Sequence, residues 1–173
     1  MPVELWDAYD IHRRPTGQTL TRGEPVPKGL YHLGVHIWYI SPDGKLLIQR
    51  RALCKKAAPG MWACSGGSAL QGESSLDALV RESEEELGIT PDLEKSILID
   101  SYLSVDDFTD VYLVPFSGRA EDLRLQESEV MDAKWVTLAE MRALAKQPDV
   151  FWNYRYLETM LRTVEDLRGI LYR

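Results

Sequence analysis

The 173-residue sequence predicts an α/β protein in which strands and helices alternate. Strand-length runs such as LYHLGVHIWYI, KLLIQRR and DVYLVPF are rich in β-branched and aromatic residues. Stretches at 74–87, 138–146 and 151–171 instead repeat their apolar residues at helical spacing. No internal repeat interrupts the pattern, and a hydrophobic content of 45% is enough for one sizeable core, so residues 1–173 read as one domain.

In chain order, residues 3–9 alternate as a short strand. The turn-rich RRPTGQTLTRGEPVPKG follows, predicting an N-terminal hairpin over about 3–30. LYHLGVHIWYI and KLLIQRR form a second hairpin across SPDG, where Pro42 presets the turn and Gly44 takes its awkward dihedral. Period-two geometry puts His32, Gly34, His36 and Trp38 on one face of the first strand, and Tyr31, Leu33, Val35 and Ile37 on the other. ALCKKAAPGMWACSGG reads as a loop of small residues. It feeds a helix that Gly88 ends and Pro91 keeps from resuming. SILIDSYLSV, DVYLVPF and AKWVTL supply three more strands. The final helix, 151–171, carries Tyr154, Leu157, Leu161, Val164, Leu167 and Leu171 at core spacing.

A formal charge of −7 argues against nucleic acid as a partner, because neutralising phosphates needs a basic surface. No apolar run is long enough to span a bilayer, and residues 1–10 carry acids where a secretory signal carries positive charge. The expectation is a soluble, cytoplasmic protein without a membrane partner. Cys54 and Cys64 lack metal-site spacing and read as free thiols.

The chemistry concentrates in GGSALQGESSLDALVRESEEELGI. At 100° per residue and with Glu82 at zero, Glu86 falls at about +40° and Glu85 at about −60°, while Glu84 points away near 200°. Leu76, Val80, Ser83 and Leu87 form the expected core stripe. Ala78, one turn before Glu82, leaves room for an anion. Three converging carboxylates raise one another's pKa unless a cation offsets the repulsion. A hard divalent ion such as Mg²⁺, bridging to substrate phosphates, suits such oxygen ligands.

Gly67, Glu73, Arg81, Glu82, Glu85, Glu86 and Gly88, followed by the aliphatic Ile89, resemble the Nudix box of pyrophosphohydrolases in identity and spacing. Seven fixed identities arise by chance on the order of once in 10⁸ start positions. The resemblance implies a mixed β-sheet sandwiched between helices, with the hairpin at its edge. It also implies Mg²⁺ or Mn²⁺ held by Glu82, Glu85, Glu86 and a backbone carbonyl at Gly66 or Gly67. Glu73 and Arg81 would brace the loop, and water would attack phosphorus with Glu82 and Glu85 catalytic. The base in this family varies in position; Glu129 or Glu127 fits it here, and Asp110, at the head of DVYLVPF, fits a further ligand or acid. Ser83 departs from the box, which usually has an aliphatic residue or threonine there. A hydroxyl bond to the preceding turn is expected.

Beyond the box, YHLGVHIWYISPDGKLLIQRRALCKKAAPGMW and EVMDAKW resemble the Nudix branch that includes type I isopentenyl diphosphate isomerase. His32 matches a metal-binding histidine of that branch. Gly66, however, stands at its catalytic cysteine position and Ser68 at a further metal histidine, and Cys64 is two residues too early. Arg50, Arg51 and Lys55, with Lys56, form a basic cluster suited to phosphate. Trp38, Trp62, Trp152, Tyr154 and Tyr156 suit either nucleobase stacking or the core. The sequence therefore favours a metal-dependent hydrolase of a small nucleoside diphosphate-type substrate. An isomerase-like enzyme and a non-catalytic diphosphate sensor are the alternatives, and the hairpin and last helix are expected to support a homodimer.

Overall fold

The computed structural model describes residues 3–152 and 154–167. Trp6 and Ala8 alternate inward along β1 (Leu5–Tyr9), which pairs antiparallel with β2 (Pro15–Thr21) and encloses a small core with Leu20. This is the expected N-terminal hairpin. Tyr9 and Tyr31 exchange backbone hydrogen bonds of 2.8 and 3.0 Å that dock it beside the main sheet.

The main sheet is mixed. β3 (His32–Ile40) and β4 (Leu46–Arg51) meet through the SPDG turn, where Gly44 sits at φ 77°. β7 (Ile97–Leu103) and β8 (Asp107–Pro115) follow the first long helix, and β9 (Val130–Val136) returns along β4. β3 runs parallel to β8, and the other pairings are antiparallel. β8 begins three residues before the expected run, so Asp110 lies inside a buried strand rather than at its head.

β3 and β4 pair only at Tyr39 with Leu47 and Ile40 with Leu46, and then diverge. Residues 62–68 fill the gap. β5 (Trp62–Ala63) pairs with β4, and β6 (Ser65–Ser68) pairs with β3. The sequence reads this stretch as loop because glycine, serine and alanine are poor strand formers. The unpaired backbone groups of the two diverging strands override that local preference.

α1 (Ser75–Leu87) starts at a capping box in which Ser74 and Asp77 satisfy each other's backbone N–H, and it stops at Gly88 in the left-handed region, φ 68°. It covers the sheet face built from Leu33, Val35, Ile37 and Tyr39. α2 (Leu138–Leu144) and α3 (Leu157–Leu167) cover the other face, where Met141, Leu161 and Val164 pack on Trp38, Ile40, Leu46 and Ile48. The two-faced reading of β3 and the helix–sheet–helix layering therefore hold. α3 starts six residues later than the periodicity implies. Hydrogen bonds from Trp62 N–H to Val150 O (2.8 Å) and from Trp152 N–H to Trp62 O (2.9 Å) hold the preceding segment extended. The predicted continuation of this helix to residue 171, with Leu171, lies outside the described residues. Among the described residues, no helix is long and apolar enough to cross a membrane.

The buried arc of α1 differs from the expected one. Ser75, Ala78, Leu79, Ser83, Glu86 and Leu87 are buried, whereas Leu76 is 41% exposed and Val80 is only partly covered. Ala78 is a core contact and opens no groove. The inward side is centred near Leu79 and Glu86, so the carboxylate row borders the core instead of opposing it.

Ser83 donates to Leu79 O at 2.6 Å, as expected, and also accepts from Tyr39 Oη at 2.7 Å, with both side chains buried. Ser83→Ala leaves that phenol without an acceptor and is expected to cost about 1–3 kcal/mol in denaturant unfolding. Adding Tyr39→Phe should recover most of the loss. A double variant no more stable than Ser83→Ala would show that the pair is uncoupled.

On the opposite face, Tyr156 Oη accepts from Trp38 Nε1 at 3.0 Å and shares a hydrogen bond of 2.9 Å with His36 Nδ1. Burial pushes the His36 pKa down from 6.5 to about 4. A folded pKa below the unfolded one gives stability that is complete above about pH 6.5 and is lost as the pH falls toward 4. Thermal melts between pH 7 and 4.5 should therefore decline more steeply for the wild type than for His36→Phe; parallel declines would refute this role.

Candidate functional site

The site forms where residues 62–68 enter α1. Gly66 has φ 150°, and a Cβ there would lie 2.1 Å from Val35 O, so only glycine lets this backbone press onto β3. A Cβ on Gly67 would lie 2.1 Å from Glu82 Oε1. The missing side chain is what lets the Glu82 carboxylate reach the loop backbone.

Arg81 organises the acids around this backbone. Its Nε and Nη2 grip Glu73 at 2.8 and 3.0 Å, Nη2 also reaches Ser68 O at 2.9 Å, and Nη1 reaches Glu82 Oε1 at 2.8 Å and Glu85 Oε2 at 3.3 Å. These bonds use all the donors of a guanidinium. Glu73 also accepts from Leu70 N–H at 2.8 Å, which closes the loop on itself. Burial opposes the Glu73 charge, but the Arg81 fork and the Leu70 N–H outweigh it and hold the carboxyl below its usual range.

Glu86 is only 4% exposed, and its Oε2 accepts from Gln49 Nε2 at 2.9 Å and from Gly66 N–H at 3.3 Å. Burial, with the neighbouring Glu82 charge adding to it, pushes its pKa up to about 8. Burial also raises Glu82, against the pull of Arg81, while Glu85 remains half exposed. Glu82 and Glu85 turn toward Arg81 and Glu86 turns toward Gln49, so the predicted three-way convergence is not formed. Among the described residues, no three acidic, histidine or cysteine side chains are grouped as a ready metal cage. The donor set still fits a hard cation. Three carboxylates share one helix face, one of them is buried where its charge is under-compensated, and bare Gly66–Gly67 backbone lies against them.

The segment before β9 is fastened to the end of α1. Arg124 N–H donates to Leu87 O at 3.1 Å and Gln126 N–H donates to Glu86 O at 3.0 Å, satisfying carbonyls the helix leaves open. Three residues on, Glu129 forms an ion pair with Lys55, and Ala52 N–H donates to Glu129 O at 2.8 Å. The acid and the lysine predicted from different loops thus meet, whereas Glu127 is exposed. Arg50 Nε donates to Gly60 O at 3.0 Å. Arg51 Nε donates to Ala57 O at 3.0 Å, and its guanidinium lies 5.3 Å from the Trp152 ring centre. Both arginines brace their own loop.

Two expected ligands have other partners. Arg13 grips Asp110 with two bonds of 2.8 and 2.6 Å, and Ser101 Oγ donates to it at 2.7 Å. Burial opposes ionisation there, but these donors, Arg13 foremost, hold the carboxyl below its usual range. His32 stacks on Trp6 at 4.2 Å, whereas His36 sits among Tyr102, Tyr154 and Tyr156. Four residues of strand separate the two histidines by about 13 Å, too far to share an ion. Trp38, Tyr154 and Tyr156 are core residues, and Trp62 lies beneath Lys134.

Sequence reasoning missed Gln49 and Arg13. Gln49 carries a readable signal, a polar residue on the same inward strand face as Leu47. Arg13 carries none, because its partner lies 97 residues away.

The NUDIX domain model matches residues 30–160. An uncharacterised Nudix hydrolase of Listeria monocytogenes is 41% identical over 159 residues, spanning 91% of this chain and 94% of the relative. An isopentenyl-diphosphate Delta-isomerase of Shigella flexneri is 35% identical over 155 residues, spanning 86% and 85%. Among solved structures, a protein of Deinococcus radiodurans superposes with a TM-score of 0.74 at 18% identity, covering 93% of this chain and 99% of that one. The Nudix domain of Shewanella oneidensis NrtR, complexed with ADP ribose, gives 0.57 at 18% identity, covering 79% and 87%. The box residues, the layered fold and these matches agree: the chain belongs to the Nudix hydrolase family.

Proposed function

We propose that this chain is a Mg²⁺- or Mn²⁺-dependent hydrolase that cleaves the diphosphate linkage of a small nucleoside diphosphate-type molecule. The observation that carries this is the carboxylate row of Glu82, Glu85 and Glu86 set against the bare backbone of Gly66–Gly67. ADP ribose, bound by the Shewanella domain, is a molecule of this class.

Glu82, Glu85 and Glu86, with the Gly66 or Gly67 carbonyl, would hold the ion. When bound, it neutralises phosphate charge and lowers the pKa of water. Glu73 and Arg81 keep the loop closed on α1, so the donors stay in place. Glu129 accepts the proton of the attacking water at its carboxylate. Lys55, ion-paired with that carboxylate, fixes where it points. Arg50 and Arg51 stiffen the neighbouring loop through Nε and keep Nη donors for phosphate.

Isomerase chemistry is disfavoured by the same geometry. A cysteine side chain at position 66 would collide with Val35 O. Cys64 is buried in the opposite core, where burial pushes its thiol up to about 12.

With Mg²⁺ and a panel of diphosphates read by product mass, turnover should be metal-dependent. Glu85→Gln should lose at least about 100-fold, since even outer partners of a metal site are worth 10–100-fold. Robust turnover by this variant would remove Glu85 from the site. Binding of a diphosphate with no cleavage of any panel member would favour the sensor.

Mg²⁺ at about 100 times its dissociation constant should stabilise the wild type by about 2.7 kcal/mol. Gly67→Ala, which drives a methyl into the Glu82 carboxylate, should abolish this stabilisation. An equal melting shift in both proteins would separate Gly67 from the ion.

A further inference from the structure

We propose that Gln49 is a positioning residue for the metal site: its side-chain amide sets the orientation of Glu86 and thereby the affinity of the carboxylate row for its cation. The inference rests on the hydrolase reading above.

Gln49 lies on β4 and is 2% exposed. Its NH₂ group is a two-pronged donor, with one prong on Cys64 O at 3.2 Å and the other on Glu86 Oε2 at 2.9 Å. Cys64 O can only accept, so the amide has one sensible orientation; a flip would set Oε1 against that carbonyl oxygen. Cys64 links β5 to β6. One amide therefore joins β4, the segment filling the gap between β3 and β4, and α1. Gly66 N–H reaches the same Glu86 oxygen at 3.3 Å. The carboxylate is thereby held from the strand and from the loop together.

The other end of the amide shows that packing alone does not explain this residue. Gln49 Oε1 is buried and has no hydrogen-bond partner among the described residues. The neighbouring Leu47 and Ile48 are fully buried and apolar, and an apolar side chain at position 49 would carry no such unsatisfied oxygen. What it would lack is the donor pair on Glu86 and Cys64. Outer partners that orient ligand carboxylates in this way typically govern metal affinity.

Gln49→Met keeps the length of the side chain and deletes both donors. Calorimetric titration with Mg²⁺ alone should show binding about 10–100-fold weaker than the wild type. The Mg²⁺ concentration for half-maximal turnover should rise by the same factor, whatever the change in the metal-free melting temperature. Mg²⁺ binding within twofold of the wild type, or a loss confined to the metal-free melting temperature, would overturn the proposal. Should Gln49→Met not fold, the Gln49 side-chain amide resonance of the ¹⁵N-labelled wild type serves instead. It should shift when Mg²⁺ is added, and an unmoved resonance would overturn the positioning role. A wild type that neither binds Mg²⁺ nor cleaves a diphosphate would instead overturn the hydrolase reading, and this one with it.

Discussion

Everything at the site depends on the early parting of β3 and β4. Two adjacent strands that stay paired leave no room for a third, but these separate after two residue pairs, and residues 62–68 take up the freed hydrogen bonds on both sides. That insertion carries Gly66 and Gly67 to the middle of the sheet, alongside His36 and Val35. The glycines then permit an approach between backbone and carboxylate that any side chain would block. A loop on the surface would supply the same atoms without the fixed distances.

Arg81 resolves the electrostatic problem that four glutamates pose on so short a stretch of helix. A lysine could neutralise one partner at a time, whereas a planar guanidinium offers a separate N–H to each acceptor. Glu73, Ser68, Glu82 and Glu85 are all reached from one side chain. The like charges thereby become the reason the loop and helix stay together, and Glu86, which Arg81 does not reach, is left to the interior.

What could be read in advance follows the range of the interactions. Local chemistry was legible: the stop at Gly88, the SPDG turn and the Ser83 back-bond each involve residues within a few positions. Glu82, Glu85 and Glu86 were legible because their spacing is itself the helical period, and Gly67, Glu73 and Arg81 through the resemblance to the Nudix box. The strands at 62–68 were not, since their pairing energy belongs to partners elsewhere in the chain. The roll of α1 was misjudged for a related reason. Counting apolar residues pointed to Leu76 and Val80, while the decisive contacts were polar ones, Glu86 with Gln49 and Ser83 with Tyr39. Asp110 and Glu129 looked like spare acids because Arg13 and Lys55 come from distant segments.

The bond from Tyr39 to Ser83 has a consequence for the acids beside it. Besides the Ser75–Tyr112 and Glu86–Gln49 bonds, α1 meets the sheet through apolar contacts, which tolerate sliding, whereas this hydrogen bond between two buried hydroxyls does not. It acts as a set-screw on the rotation of α1 about its axis. With side-chain tips about 5–6 Å from that axis, a rotation of some 20° carries a carboxylate about 2 Å. That is the length of one Mg²⁺–oxygen bond, so a hydroxyl that touches no ligand sets where the ligands are.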